Sequence, residues 1–132
     1  MYHFSEKSKA KLATCHKMLQ VLFNTVILFR DCTIVEGHRG RDKQNKAFRN
    51  GKSKLKYPDS KHNKKPSLAV DVAPYFPGKG ASYNDRQCLY FAGYVMRTAQ
   101  VLDIPVRCGF DWDGDGDVND QNFNDGVHFE IV

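Results

Sequence analysis

The apolar pattern of the first thirty residues constrains the fold most strongly. Between residues 5 and 30, apolar side chains recur every three to four positions, which predicts one long amphipathic helix with Ser5 as its N-cap. A second helix is predicted over Arg41–Arg49, ended by Asn50-Gly51, and a third over residues 84–102. The apolar positions of the first helix are Leu12, Cys15, Leu19, Leu22, Val26 and Phe29.

Short apolar segments separate these helices and predict strands at residues 33–35, 68–72, 106–110 and 127–132. The lysine-rich stretch 52–66 contains two prolines and is predicted to be a loop. The resulting order of elements indicates an α+β fold with a small antiparallel sheet and helices packed on it. The chain has 132 residues, is 41% hydrophobic and has no repeat, so we expect one compact domain over residues 1–132.

The charge is unevenly distributed. The net charge is +5, yet all 20 Lys and Arg lie in residues 1–110 while residues 111–132 carry 7 of the 15 acids. A basic body suits a polyanionic partner such as nucleic acid or an anionic cell-wall polymer, although lysines also serve solubility. Residues 52–65 lack the run of interleaved aromatic side chains that stacks on bases, so we expect no nucleic-acid partner.

Membrane insertion and disulfides are not expected. The longest apolar run, near residues 21–29, is interrupted by Asn24 and Thr25 and is much shorter than the roughly 20 residues of a membrane span. The first 11 residues show no secretory signal. The four cysteines form no CxxC pair, so we expect reduced, partly buried thiols in a monomer made in a reducing compartment.

Three residues are awkward to explain as scaffold: His62 at the end of a polar loop, Asp71 inside an apolar strand, and His128 in the last strand. A catalytic zinc ion is commonly held by three nitrogen or oxygen side chains, with a fourth position left for water. Two histidines and one carboxylate supply that set. From these residue types alone, a structural role for each histidine stays an open alternative.

The local sequence around these residues resembles a known family. Ser60-Lys61-His62, Ala69-Val70-Asp71 and Asp125-Gly126-Val127-His128 resemble the zinc D-alanyl-D-alanine carboxypeptidases and L-alanyl-D-glutamate endopeptidases, whose pattern is SxHxxGxAxD with a later acid three residues before a histidine. The segments 33–39, 70–75 and 125–130 are most similar to the phage endolysin branch.

The resemblance implies a zinc site and a catalytic role for each matching residue. His62, Asp71 and His128 would hold zinc, and Asp125 would be the general base. Arg39 would stabilise oxyanion charge, and Ser60 is a weaker candidate for orienting substrate.

The implied reaction is hydrolysis of the L-alanyl-D-glutamate bond in the peptidoglycan stem peptide. Two alternatives stay open: D,D-carboxypeptidase activity and a non-enzymatic calcium-binding interaction module. The resemblance also implies a phage lysin that accumulates in the host bacterial cytoplasm and reaches the wall after another protein permeabilises the membrane.

The chain departs from the family pattern at one point. His62 and Asp71 are nine positions apart where the family has seven, and Ser67 takes the place of the usual glycine. If residues 63–66 bulge outward, the ligands can still converge. Otherwise the choice between Asp59 and Asp71 as the third ligand has to be reconsidered.

Residues 111–122 fit the template of a calcium loop. Acids occupy positions 1, 3, 5 and 7, glycine position 6 and valine position 8, but Asn122 replaces the bidentate glutamate of position 12, which should weaken binding. A solvated Asp-Gly turn is the alternative. Since the loop ends three residues before Asp125, we expect calcium-dependent activity. The calcium ligands would be Asp111, Asp113, Asp115, Asp117 and Asn122.

Overall fold

The computed structural model describes residues 1–120 and 124–132. The described residues form four helices, α1 to α4, and five strands, β1 to β5, which confirms the predicted α+β class with an antiparallel sheet. In chain order the elements are α1 Glu6–Leu12, α2 Lys17–Val26, β1 Cys32–Glu36, α3 Arg41–Arg49, a 3-10 turn Lys61–Asn63, β2 Ala69–Phe76, β3 Gly80–Ala81, α4 Asp85–Val101, β4 Val106–Gly109 and β5 Asp125–Ile131.

The prediction of one helix over residues 5–30 is wrong. Ser5 does cap α1, by accepting a hydrogen bond from the Ser8 N–H, but α1 ends at residue 12 and α2 begins at residue 17. In the gap, the His16 N–H donates to the Ser67 carbonyl at 2.8 Å, and the Ser67 N–H donates to the Thr14 carbonyl at 2.9 Å. This pairing with a distant segment replaces the helical hydrogen bonds, and the His16 side chain then caps α2.

The later elements lie close to their predicted positions. Helix α3 has the predicted bounds, and α4 begins after Asn84, whose side chain caps it. Strand β2 continues past its predicted end to Phe76, because Pro74 pairs with Cys32 of β1 and Tyr75 pairs with Ala81 of β3. The predicted loop at 52–66 contains the 3-10 turn.

The sheet has the strand order β1-β2-β5-β4, with β3 paired to β2. In the antiparallel β2–β5 pair, Asp71 lies directly opposite His128. Side chains alternate across a strand, so Val70, Val72 and Phe129 enter the core, while Asp71 and His128 share the opposite face. The register of one strand pair therefore brings two of the predicted ligands together.

The core fixes these strands in place. Helices α2 and α4 pack together and against the sheet, and the fully buried Phe129 ring contacts Phe23 and Phe91 edge to face, at centroid distances of 5.4 Å and 6.3 Å. All four cysteines are free, as predicted, and they are buried more completely than the partial burial that was expected. Within residues 1–120 and 124–132, no helix is long and apolar enough to cross a membrane.

Candidate metal centre and its cleft

Three potential metal ligands meet on the face of the sheet that points away from the core. Asp71 Oδ1 lies 3.1 Å from His62 Nε2 and 3.2 Å from His128 Nδ1. One ligand atom from each residue lies within 4.8 Å of the other two, and all three side chains are buried. Two imidazole nitrogens and a carboxylate oxygen are the donor set of a catalytic zinc site.

The hydrogen bonds at the far side of each ring support this assignment. His62 Nδ1 lies 2.8 Å from the Gly37 carbonyl, and His128 Nε2 lies 2.8 Å from the Glu130 carboxylate. Both partners accept hydrogen bonds, so these two ring nitrogens carry the protons. In neutral histidines the other two nitrogens therefore present lone pairs to Asp71, an arrangement that a bound cation stabilises.

The longer spacing between His62 and Asp71 is accommodated by a bulge. The Leu68 N–H donates to the Lys61 carbonyl at 3.0 Å and closes the segment between them. Residues 64–66 within that segment are exposed, so the additional residues extend into solvent. Asp59 is exposed and lies outside the His62, Asp71 and His128 cluster.

The 3-10 turn that carries His62 is held by Ser60. The Ser60 hydroxyl accepts a hydrogen bond from the His62 N–H at 3.2 Å, and the Asn63 side chain accepts one from the Ser60 N–H at 3.1 Å. Ser60 is buried and lines the cleft above the cluster. Ser60 is therefore the N-cap of the turn, and it positions His62.

The charges in the cluster shift its pKa values in opposite directions. Burial raises the pKa of the Asp71 carboxyl, but hydrogen bonds from His128 and His62 outweigh burial and hold that pKa well below its ordinary value. Burial lowers the pKa of His128, yet its hydrogen bonds to Asp71 and Glu130 outweigh burial and raise that pKa to about 9. The metal-free cluster therefore favours a histidinium beside a carboxylate.

Asp125 lies at the edge of the cluster, where a general base would stand. Its Oδ2 is 3.9 Å from His128 Nδ1, and its side chain is partly exposed to the cleft. Burial raises the pKa of the Asp125 carboxyl, and the negative charge of Asp71 raises it further. A raised pKa makes this carboxylate a stronger proton acceptor than an ordinary aspartate.

Arg39 enters the site from the loop after β1. Its guanidinium lies 3.6 Å from Asp71 Oδ2 and 3.6 Å from Glu36 Oε2, and it donates to Gln44 Oε1 at 3.0 Å. Gln44 is fully buried and also donates to the Leu55 carbonyl at 2.7 Å, so α3 and the following loop fix the arginine. The result is an immobilised cation at the wall of the cleft.

Sequence reasoning did not single out Glu130, Arg107 or Trp112 for the site. Glu130 is buried and contacts His128, while Arg107 Nη2 lies 2.9 Å from the Glu130 carboxylate. The Trp112 ring lies 5.2 Å from the His128 ring, centroid to centroid. The available signal was the alternation of β5, which places Glu130 on the same face as His128.

The cluster opens into a cleft of about 1080 Å³. Its walls come from α3, the loop that follows α3, and the segments that carry His128 and Trp112. The cleft is large enough for an extended peptide to reach the His62, Asp71 and His128 cluster.

The described part of the acidic segment, residues 111–120, consists of turns, and Trp112 within it lines the cleft. Oxygens of Asp111, Asp113 and Asp115 lie within 4.8 Å of one another. Asp111 Oδ1 is buried without a hydrogen-bond partner among the described residues. The Asp117 carboxylate instead accepts a hydrogen bond from the Asn119 N–H at 2.9 Å, and Asn122, the last predicted calcium ligand, lies outside the described residues.

The fold is a small α+β domain, and its buried His-Asp-His cluster has the donor atoms that could hold a metal ion. A family model described as phage L-alanyl-D-glutamate peptidase matches residues 1–132. The L-alanyl-D-glutamate peptidase of Escherichia phage T5 is 33% identical over 137 residues, which cover 99% of this chain and 98% of that protein.

A solved structure has the same fold. The crystal structure of the Serratia marcescens L-Ala D-Glu endopeptidase ChiX matches with a TM-score of 0.76 at 23% identity, over 98% of this chain and 90% of that chain. The family match over the full length is decisive. The chain belongs to the phage L-alanyl-D-glutamate peptidase family, whose members are peptidoglycan-degrading hydrolases, and the predicted family is confirmed.

Proposed function

We propose that this protein hydrolyses the L-alanyl-D-glutamate amide of the peptidoglycan stem peptide and that it uses one zinc ion held by His62, Asp71 and His128. The observation that carries the proposal is the convergence of these three side chains, from a loop and two strands, at the base of an open cleft. The choice of the L-alanyl-D-glutamate bond is supported by the description of the matching family.

The chain's own residues account for the proton transfers and charge stabilisation. A zinc ion in this cluster would act as a Lewis acid that polarises the scissile carbonyl and lowers the pKa of a water molecule to roughly 7. Asp125 takes a proton from the attacking water and returns it to the nitrogen of D-glutamate as the carbon–nitrogen bond breaks. Arg39 stabilises the negative charge that develops on the carbonyl oxygen. Ser60 lines the same cleft, and we assign it a substrate contact.

The bond that is cut can be determined by mass analysis of digested peptidoglycan. The wild-type protein should release stem fragments with a new D-glutamate amino terminus, and His128→Ala should lose both zinc and cleavage while remaining folded. Release of terminal D-alanine would instead indicate a D,D-carboxypeptidase. A wild-type protein that binds the wall without releasing any fragment would favour the interaction module.

We further propose that residues 111–122 bind calcium and that the ion orders the segment leading to Asp125. The support is the grouping of Asp111, Asp113 and Asp115 and the buried, unpartnered oxygen of Asp111. Titration of the zinc-loaded protein with calcium should reveal one site and raise activity. Activity that does not change with a calcium chelator that spares zinc would contradict this regulation.

We propose that the protein acts in the cell as a phage lysin. The monomeric protein would accumulate in the host bacterial cytoplasm and act on the wall once the membrane is permeabilised, without nucleic acid or membrane insertion. Its net charge of +5 supports attraction to anionic wall polymers. Sedimentation on purified walls should weaken as salt rises, because salt screens this attraction.

A further inference from the structure

The Glu130 side chain contacts both segments that carry a histidine of the cluster: it bonds to His128 and pairs with Lys61, which precedes His62. Its side chain is only 9% exposed, and its Oε1 accepts a hydrogen bond from His128 Nε2 at 2.8 Å. The other oxygen, Oε2, lies 3.4 Å from the Lys61 ammonium and 2.9 Å from Arg107 Nη2. Lys61 is the immediate neighbour of His62, so one carboxylate connects both histidine segments.

The electrostatic state of Glu130 suits this role. Both oxygens of its carboxylate face hydrogen-bond donors, with His128 Nε2 at one oxygen and Arg107 and Lys61 at the other. A carboxylate can only accept, so when His128 loses one proton to bind a metal ion, the proton on Nε2 stays and the lone pair of Nδ1 is directed toward the Asp71 side of the cluster.

We propose that Glu130 is a positioning residue that fixes the tautomer and orientation of His128 for metal binding, with Lys61 and Arg107 holding its carboxylate. This inference rests on the proposed zinc site. Hydrogen-bond partners behind metal-binding histidines typically contribute about 10-fold to 100-fold in metal affinity. If Glu130 had only a structural role, as a member of a buried ion pair or of β5, its loss would not change which ring nitrogen of His128 carries the proton.

The test is zinc affinity, measured by competition with a chromogenic chelator, together with nitrogen NMR of the His128 ring. Glu130→Ala should weaken zinc binding about 10-fold to 100-fold and, in the metal-free protein at a pH where the His128 ring is neutral, mix the His128 tautomers. Glu130→Gln keeps an acceptor and should restore most of the affinity. The matched control is Glu36→Ala, because Glu36 also pairs with two cations of the cleft, Arg39 and Lys43.

The possible results distinguish a failure of the positioning role of Glu130 from a failure of the proposed zinc site. A folded Glu130→Ala with wild-type zinc affinity and a single His128 tautomer would overturn the positioning role, and so would an equal loss of affinity in Glu36→Ala. A wild-type protein that binds no zinc would instead contradict the proposed metal site. Thermal unfolding of the metal-free variants shows whether each one is folded.

A second and independent observation concerns two lysines that line the same cleft. The side chains of Lys46, on α3, and Lys52, on the following loop, line the cleft and are exposed. Among the described residues, neither makes an ion pair, whereas two acids that line the same cleft, Glu36 and Glu130, are each paired with two cations. The cleft therefore has uncommitted positive charge on its α3 wall.

We infer that Lys46 and Lys52 form a subsite for carboxylates of the stem peptide. This inference also rests on the proposed function, because cleavage before D-glutamate places a free carboxylate one residue past the reacting bond. Two exposed lysines can contribute about tenfold to binding of such a group. The subsite would make the enzyme prefer stem peptides whose D-glutamate is not amidated.

Steady-state kinetics on paired soluble stem peptides, with a free or an amidated D-glutamate carboxylate, test the subsite. The double variant Lys46→Glu and Lys52→Glu should raise KM about tenfold for the free carboxylate, with little change in kcat or in the amidated substrate. The control is Lys17→Glu with Lys79→Glu, which makes the same charge change on residues outside the cleft. Equal effects on both substrates, or in both double variants, would overturn the subsite, whereas a wild-type enzyme that cleaves neither peptide would contradict the proposed function.

Discussion

At the scale of single residues, Asp125 separates catalysis from metal binding. Its carboxylate lies 3.9 Å from His128 Nδ1, yet it is absent from the cluster of His62, Asp71 and His128. A side chain at that position can reach a water beside the cluster without being needed to hold the ion. Its contribution should therefore be to the chemical step.

Asp125→Asn should lower kcat by about 10²-fold to 10⁴-fold, since the amide cannot accept the proton. Zinc content and KM should stay near the wild-type values. The matched control is Asp59→Asn, which changes an exposed aspartate of the same cleft and should leave kcat intact. The assignment fails if Asp125→Asn retains full turnover, or if it loses zinc together with activity.

At the scale of elements, a close approach between β4 and β5 positions Asp125. The strand register shifts between Cys108 and Gly109, and Gly109 then pairs with Asp125. A Cβ atom at position 109 would lie 1.8 Å from the Asp125 carbonyl oxygen. Because a backbone atom cannot give way as the end of a side chain can, only glycine allows this pairing.

Gly109→Ala should destabilise the fold by about 1–3 kcal/mol and displace Asp125, so that activity falls as well. Gly93→Ala is the control, because Gly93 lies inside α4 with open space around its Cβ position. That substitution should stabilise the fold by roughly 0.5–1 kcal/mol and leave activity unchanged. Urea unfolding and turnover of both variants provide the comparison, and equal stability of the two would contradict it.

How much could be predicted from sequence also differs between elements. Helices α3 and α4 were predictable because their starts and ends carry local signals, such as the Asn84 cap and the turn at Asn50-Gly51. The break between α1 and α2 was not, because its cause is backbone pairing with Ser67, far along the chain. The metal cluster was found through residue types and family resemblance. The alternation of β5 places Glu130 on the same face as His128, but it does not reveal the contacts with Lys61 and Arg107, which come from other segments.

At the scale of the whole molecule, the cluster depends on contacts between distant parts of the chain. Asp71 and His128 are 57 positions apart and become neighbours only when β5 pairs with β2 at the centre of the sheet. Folding therefore assembles a buried group of charges whose stability depends on pH. In the metal-free protein, that dependence follows on the alkaline side from the raised pKa of His128, and on the acid side from the lowered pKa values of Glu130 and Asp71.

The metal-free protein should be most stable between about pH 4.5 and about pH 6.5. The pKa of His128 rises from 6.5 to about 9 on folding, so its stabilisation is present below pH 6.5 and is lost as pH rises through about 9. The pKa of Glu130 falls from 4.5 to about 2, so its stabilisation is present above pH 4.5 and is lost as pH falls through about 2.

The alkaline decrease should be on the order of 3 kcal/mol and can be measured by urea unfolding with a chelator present. Saturating zinc should reverse the trend on that side, since the ion takes the place of the proton and binds more tightly as the histidines deprotonate. Metal-free stability that rises from pH 6.5 to pH 9 would contradict the charge assignment of the cluster.

The central claim is that His62, Asp71 and His128 hold one divalent ion. Anomalous X-ray diffraction at the zinc absorption edge, from crystals grown with one equivalent of zinc, tests it most directly. We expect a single peak about 2.0–2.2 Å from His62 Nε2, His128 Nδ1 and an Asp71 oxygen. A peak at any other group of residues, or a fully folded protein that shows no peak, would contradict it.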